Sequence, residues 1–327
     1  MASIRQRSGK WQARVNRTGF PAEVKSFETR GEAQRWARTI EAAMDRGAHQ
    51  SPAEANEILL REVLSRYMVE VSPSKRGHLD EVIRIRFLQR AKIAGYSMSK
   101  LSPEVVAGFR DMRLKTVGAG AVIRDLSLLS SVISHARREW GVTATNPCAL
   151  VRKPPTPAGR SRVLSAEEEA QLLNALKPQG RRNPWMLPLV KLALETAMRR
   201  GELLALQWRN IDLGRQTAYL PTTKNGRPRT VPLSTGAVAV LASLPRVETD
   251  IVFPIAAQTL AAAFMRARVR SGVPNLRFHD LRHTATSRMA HRLPNVIELA
   301  SVTGHQTIQM LKRYYHPDAE VLARKLG

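Results

Sequence analysis

The sequence predicts an α+β multidomain chain: an N-terminal three-stranded sheet plus helix, a helical middle block, and a mainly α C-terminal domain with a small β-hairpin. Three observations lead there. The 327 residues are 43% hydrophobic and 24% charged, enough apolar material for packed cores and, at about 100–200 residues each, for two or three domains. Two breaks in composition divide the chain, at residues 47–52 and again from Asn146-Pro147 through 153–160. Strand signals are confined to the first 28 residues and to one hairpin in the last third, with helical periodicity filling the rest.

Taken in order, Ser3–Arg7, 11–17 and Glu23–Phe27 are short strand candidates, separated by the turn formers Ser8-Gly9 and Thr18-Gly19-Phe20-Pro21. Thr29-x-x-Glu32 has the form of a capping box and opens a helix through about Asp45. Arg5, Arg7, Lys10, Arg14 and Arg17 line the strands. A basic sheet of this size can lie in a DNA major groove, which accepts a β-ribbon. After a linker at 47–52, helical patterns run over 58–71, 77–93, 102–115 and 121–140. Ser102-Pro103-Glu104 supplies a cap, a proline at the first helical position and an acid in the first turn. The proline-dense segment 153–160 then stops helices and stiffens a spacer. Beyond it Ser165-x-x-Glu168 is a second capping box, and helices are expected at 165–176, 185–198, 235–243, 256–271 and 279–291. Lys224-Asn225-Gly226-Arg227 sits between short apolar stretches, and its Asn-Gly pair is a hairpin signal.

Charge narrows the function. Lys and Arg number 52 against 27 Asp and Glu, a net +25, and basic residues outnumber acidic ones about two to one in each of the segments 1–50, 51–160 and 161–327. A polyanion spanning the whole molecule is the expected partner, and nucleic acid is the commonest one. The single cysteine, Cys148, excludes an internal disulfide framework and a cysteine-based zinc cluster. The N-terminus carries arginines where a signal peptide needs its apolar region, and no run approaches the roughly 18 apolar residues of a membrane span, so a cytoplasmic protein is expected. Walker lysine, Gly-x-Gly-x-x-Gly and His-Glu-x-x-His patterns are missing, which argues against an NTPase, a dinucleotide enzyme and a common metalloprotease.

A scattered set of residues in the last third carries the chemistry. It begins at Thr196-Ala197-Met198-Arg199-Arg200-Gly201-Glu202-Leu203 and continues with Lys224 and with Phe278-His279-Asp280-Leu281-Arg282-His283. It ends with Gly304-His305 and Arg313-Tyr314-Tyr315-His316. In this the sequence resembles the tyrosine recombinases, specifically the phage-type integrases. Their pattern is Thr-Gly-Leu/Met-Arg-x-Gly/Ser-Glu-Leu, which selects Arg199 over Arg200, then a hairpin Lys, His-x-x-Arg, Gly-His, and a Tyr nine residues after that His, a spacing that selects Tyr314 over Tyr315.

The resemblance covers the whole chain. It implies an arm-site DNA-binding domain at 1–48, a helical core-binding domain at 52–152 and a catalytic domain at 160–327. It further implies strand cleavage through a 3′-phosphotyrosyl bond, a homotetramer on double-stranded DNA attachment sites, passage through a Holliday junction, and no metal or nucleotide cofactor. A directionality factor and a host DNA-bending protein are candidate accessory partners. Arg199 and Arg282 become the pair that stabilises the phosphorane-like state, since each guanidinium presents a fixed fork of donors to phosphate. Losing one such donor costs about 3–4 kcal/mol of barrier. Tyr314 is the nucleophile, His279 its proton acceptor, Lys224 the general acid on the departing 5′ oxygen, and His305 a donor to the phosphate. Glu202 cannot sensibly touch a phosphate and is expected to orient Arg199 or a nearby basic side chain.

Taken singly, these residues have plainer readings. Arg199 and Arg200 suit a solvated helix edge, Lys224 a turn, His283 and His316 a structural or DNA-proximal place, and Tyr315 a core or backbone contact. Leu203, Leu204, Leu206 and Trp208 are expected in the core. Two departures from the family pattern stand out: Ala197 where Gly is frequent, which should keep φ below zero there, and Val302-Thr303 before Gly-His. The apolar spacing of the last helix, about 319–326, suggests docking onto a neighbouring subunit. Alternatives are a dimer-resolving recombinase, a type IB topoisomerase-like relaxing enzyme and a non-catalytic DNA-binding regulator on the same scaffold.

Overall fold

The computed structural model describes residues 2–45, 58–142, 145–223, 226–315 and 319–326. The chain divides into two compact units, Met1–Ala158 and Gly159–Gly327. The first opens with an antiparallel meander of β1 (Ser3–Arg7), β2 (Lys10–Val15) and β3 (Glu23–Phe27). Ser8 and Gly9 join β1 to β2 with φ of 51° and 81°, the left-handed pair whose twist matches the flanking strands. The register Ser3↔Arg14, Arg5↔Gln12 and Arg7↔Lys10 puts Arg5, Arg7, Lys10 and Arg14 on one face. The other face presents Ala13 and Val15 to Ala33, Ala37 and Met44 of α1 (Arg30–Asp45). Thr29 and Glu32 cap that helix reciprocally at 3.3 Å. Strand β2 stops at Val15, two residues short of the expected end. Arg17 therefore lies off the basic sheet face, ion-paired with Asp45 of α1, and Lys10 meets Glu28 at 2.7 Å.

The helical block comprises α2 (Leu60–Glu70), α3 (His78–Arg90), α4 (Pro103–Leu114) and α5 (Ala119–Glu139). On α5, Val122, Leu126, Leu129, Ile133 and Ala136 recur every three or four residues and are buried against Leu60, Leu64, Ile85, Leu88 and Phe109. Asp125, fully buried on α5, is held by Arg84 and by Arg113 at 3.1 Å. That double pairing offsets the desolvation of its carboxylate. Cys148 is buried and burial pushes its thiol up to about 12, which leaves it unreactive.

In the second unit, α6 (Ala166–Leu176), α7 (Met186–Thr196), α9 (Thr235–Ala242), α10 (Ala257–Ser271) and α11 (Phe278–Arg292) fall on the five expected helices, with small end shifts. Between them come α8 (Arg200–Leu204) and, after α11, α12 (Val296–Thr303), α13 (Ile308–Leu311) and α14 (Ala319–Leu326). The sequence pattern missed α8, α12 and α13 because four to eight residues carry too little periodicity. Leu189, Leu192, Leu260, Phe264 and Leu281 fill the main core, joined by Leu203, Leu206 and Trp208. A separate small cluster of Ala290, Leu299 and Leu311 has Tyr314 and Tyr315 packed against it.

Strands β4 (Ile211–Asp212), β5 (Thr217–Leu220) and β6 (Arg229–Pro232) make a second antiparallel sheet. The expected hairpin flanks, 219–220 and 230–233, fall on β5 and β6 with a small end shift, and there Leu220 pairs with Arg229. Lys224, Asn225 and His316 lie outside the described residues, as does the expected linker. Among the described residues, no helix is long and apolar enough to cross a membrane.

Candidate active site

The site is built where α7 ends. Ala197 closes that helix in the left-handed region, φ 52° and ψ 20°, fully buried. This overturns the expectation of negative φ. An alanine pays about 1–2 kcal/mol for that conformation, and two bonds hold it there. Its N–H donates to Ala193 O at 3.1 Å, and its carbonyl accepts from Arg282 Nη1 at 2.6 Å. The reversal leaves Arg199 extended (ψ 151°) at the start of α8, with its own N–H donating to Glu202 Oε2 at 2.8 Å.

Arg199 also donates from Nη1 to Glu202 Oε1 at 2.8 Å and from Nη2 to Gly304 O at 3.2 Å. Glu202 is 4% exposed and takes a further donor, Arg229 Nη2, at 2.8 Å. Burial alone would raise its carboxyl. The Arg199 N–H, the Arg229 charge and the Arg199 guanidinium outweigh it and hold the group below the usual carboxylate range. Arg282, on α11, is likewise 4% exposed and donates from Nη2 to Thr303 O at 2.7 Å. Burial, reinforced by the charge of Arg199, brings it down to about 10, still cationic at neutral pH. Two guanidiniums thus anchor on consecutive carbonyls, 303 and 304.

His305 follows that strip. The hydroxyl of Thr303 donates to Leu299 O at 2.6 Å and stands 2.6 Å from His305 Nδ1. With its one proton committed, Thr303 Oγ1 accepts, so Nδ1 carries the ring proton. Nε2 then accepts from Arg282 Nη2 at 3.3 Å. Burial and then Arg282 and Arg199 hold His305 down to about 3. The expected donor to phosphate is therefore placed as an acceptor at Nε2. It donates only if a second proton arrives, which an anion beside it favours by opposing the arginine charges.

Tyr314 ends a single 3-10 turn, Lys312–Tyr314. Burial raises its phenol, against the opposing pull of Arg282 and Arg313. Its hydroxyl is hydrogen-bonded to His283 Nδ1, and the rings are 5.8 Å apart. The expected acceptor, His279, is exposed one turn earlier on α11, with its ring edge-on to His283 at 5.1 Å. So the imidazole on the tyrosine is His283, which the sequence reading left as structural or DNA-proximal. Tyr315 turns away and donates to Leu293 O at 2.6 Å.

The second unit matches the model of the phage integrase family over residues 162–320. The chain is 40% identical over 276 residues to a shufflon-specific DNA recombinase of Escherichia coli, covering 82% of this chain and 71% of that protein. It is 33% identical over 341 residues to a putative integrase/recombinase of Haemophilus influenzae, covering 100% and 91%. This chain belongs to the phage integrase family. It is by that membership a tyrosine-type site-specific recombinase. Its fold is shared with a lambda integrase tetramer bound to a Holliday junction, at a TM-score of 0.67 and 21% identity, covering 96% of this chain and 94% of that one.

In this integrase-family chain, Arg199, Glu202, Arg282, His305 and Tyr314 are brought together, and His279 stands at their edge. Arg229 belongs with them although the sequence reading passed over it. From β6 it reaches Glu202 and, through Nη1, Val302 O at 2.8 Å. Its guanidinium lies so close over Gly304 that a Cβ there would meet Nη1 at 2.8 Å. A cleft of about 630 Å³ opens beside it, lined by Thr223, Arg227, Arg229, Gly304 and His305. The signals for both missed residues were faint: an extra His directly after the His-x-x-Arg arginine, and one more Arg in a chain already rich in them. Among the described residues, no three His, Cys, Asp or Glu side chains are grouped to hold a metal ion.

Proposed function

We propose that this chain is an integrase that cuts double-stranded DNA at attachment sites, holds the cut end as a 3′-phosphotyrosyl bond on Tyr314, and rejoins it to a partner strand's 5′ hydroxyl. The observation that carries the reading is the anchoring of Arg199 and Arg282 on consecutive backbone carbonyls next to His305, whose ring stands 6.1 Å from that of Tyr314. Two preorganised guanidiniums there can neutralise the non-bridging oxygens as the phosphorus becomes five-coordinate. Tyr314 Oη attacks, the P–O5′ bond breaks, and Lys224 protonates the departing oxygen. Glu202 positions Arg199 and Arg229 and touches no substrate. His305 completes the phosphate cradle once protonated.

The same reading takes residues 1–48 as an arm-site domain whose Arg5, Arg7, Lys10 and Arg14 share an open sheet face, with Arg17 at its margin. It takes 52–152 as the core-binding domain and 160–327 as the catalytic domain. The lambda integrase tetramer on a Holliday junction supports a homotetramer on DNA. Work on DNA inside the cell, with a directionality factor and a DNA-bending protein assisting, fits a cytoplasmic place. A second reading, specificity for a shufflon in place of attachment sites, is favoured by the 40% identity to the shufflon-specific recombinase.

Covalent trapping tests this. The full chain is incubated with sheared DNA of its source organism in EDTA and quenched with SDS, and the protein-linked fragments are sequenced. Adducts at one inverted-repeat site, lost in Tyr314→Phe and kept in Tyr315→Phe, are expected. Tight DNA binding without any wild-type adduct would move the assignment to a non-catalytic regulator. Products that rearrange one DNA molecule favour the shufflon reading, and products that join two favour integration.

A further inference from the structure

We infer that His283 is the proton acceptor of Tyr314 during strand cleavage, an inference that rests on the Tyr314 reading above. Two imidazoles stand beside the phenol, His283 and His305, and a third, His279, stands against His283. His305 has both ring nitrogens committed, Nδ1 to Thr303 and Nε2 to Arg282, and its ring centroid stands 6.1 Å from that of Tyr314. His279 is exposed and meets the edge of the His283 ring. His283 has a ring nitrogen bonded to the Tyr314 hydroxyl. It is 9% exposed and sits one residue after Arg282, so α11 carries a phosphate-binding guanidinium and an imidazole at the nucleophile side by side.

His283 is neutral at working pH, as a base must be. Burial pushes it down to about 4, and His279, Arg313 and Arg282 push the same way against Asp280. Among the described residues, Tyr314 and His305 also face it. So weak a base cannot take a proton from a resting phenol, but it does not have to. As the Oη–P bond forms, the oxygen becomes strongly acidic, and transfer concerted with attack becomes favourable. The Oη proton passes to Nδ1 of an imidazole that already carries its other proton on Nε2. The P–O5′ bond breaks and the 5′ oxygen takes its proton from Lys224. In rejoining, the imidazolium returns its proton to the leaving phenolate, so each cycle closes without loss.

The test is the single-turnover rate of adduct formation on a nicked duplex of the trapped site, from pH 5.5 to 9.5, for the full chain, His283→Asn and His279→Gln. Asparagine keeps an acceptor near the position of Nδ1 but cannot take up a proton. His283→Asn is expected to bind DNA normally, to cleave about 100-fold or more slowly at pH 7, and to recover about tenfold per pH unit toward the ionisation of tyrosine. A 5′-bridging phosphorothiolate, whose sulfur leaves without a proton, should rescue Lys224→Ala and not His283→Asn. A rate within threefold of wild type overturns the inference. So does an equal loss at every pH, which marks positioning alone, or a steep pH dependence confined to His279→Gln. Independently of any His283 variant, ¹⁵N-histidine NMR of the wild type should show His283 protonated at Nε2 and bare at Nδ1, with the Nδ1 signal shifting in Tyr314→Phe. A proton on Nδ1 at pH 7 would sink the idea. Absence of any wild-type adduct is a failure of the Tyr314 reading, and the NMR result still decides what the His283 nitrogen does.

Discussion

Ala197 holds a conformation most alanines avoid, and its carbonyl is one of the two that fix Arg282. Ala197→Gly should therefore stabilise the protein by up to about 1 kcal/mol, since glycine adopts positive φ without the Cβ penalty but brings more entropy to the unfolded chain. Denaturant unfolding measures it, and a loss above 1 kcal/mol would refute the strain. Two sheltered imidazoles, buried His283 and half-buried His305, set a pH dependence of their own. His283 and His305 take up protons only near 4 and 3 in the native state, whereas the unfolded chain takes them up near 6.5. The unfolded state thus binds more protons as pH falls from about 6.5, and stability declines through that window toward pH 4. Below about 4.5 Glu202 adds to the loss, because its carboxyl is held below its ordinary value in the fold. Melting temperatures at pH 7.5 and pH 5 should differ in wild type, and by less in His305→Gln.

At the scale of elements, β6 and the turn after α12 are locked together by one side chain. Gly304 sits at φ +69° under the Arg229 guanidinium, while Gly272 has nearly the same φ, +67°, with open space among the described residues where a Cβ would stand. Gly272→Ala should cost about 1–2 kcal/mol, the left-handed penalty alone. Gly304→Ala should cost more than that, and it should slow cleavage more than tenfold by displacing Arg229 from Glu202. Equal stability losses in the two variants would show that Arg229 moves aside freely. The regular elements were legible in the sequence. The capping boxes at Thr29 and Ser165 marked helix starts that the structure keeps, and the three-four spacing on α5 marked its buried face. Pairings between distant residues were not legible. Arg229 finds Glu202 across 27 positions and Val302 across 73, and Tyr314 finds His283 across 31. No periodicity encodes such meetings. The left-handed Ala197 escaped for the same reason, because a propensity argument weighs the residue alone while Arg282 and the start of α8 decide its backbone.

For the whole molecule, a net charge of +25 makes DNA affinity a function of salt. If six to ten phosphates are neutralised, affinity should fall about 10³–10⁵-fold between 50 and 200 mM salt. On the proposed arm-site role, replacing Arg5, Arg7, Lys10 and Arg14 together by alanine should flatten the log–log slope by about 0.9 for each phosphate that is no longer neutralised, measured on duplex DNA. An unchanged slope would remove that sheet face from the interface. Tyr314, the nucleophile of the proposed function, is anchored differently from the arginines. Arg199 and Arg282 are tied to elements of the main core, whereas Tyr314 packs on the small cluster of Ala290, Leu299 and Leu311. Amide exchange should accordingly reveal two tiers, with 308–315 opening at a fraction of the free energy that protects α7 and α11. On the proposed function, a tyrosine held by so small a cluster is the part of the site whose backbone opens first, while Arg282 keeps its seat on α11.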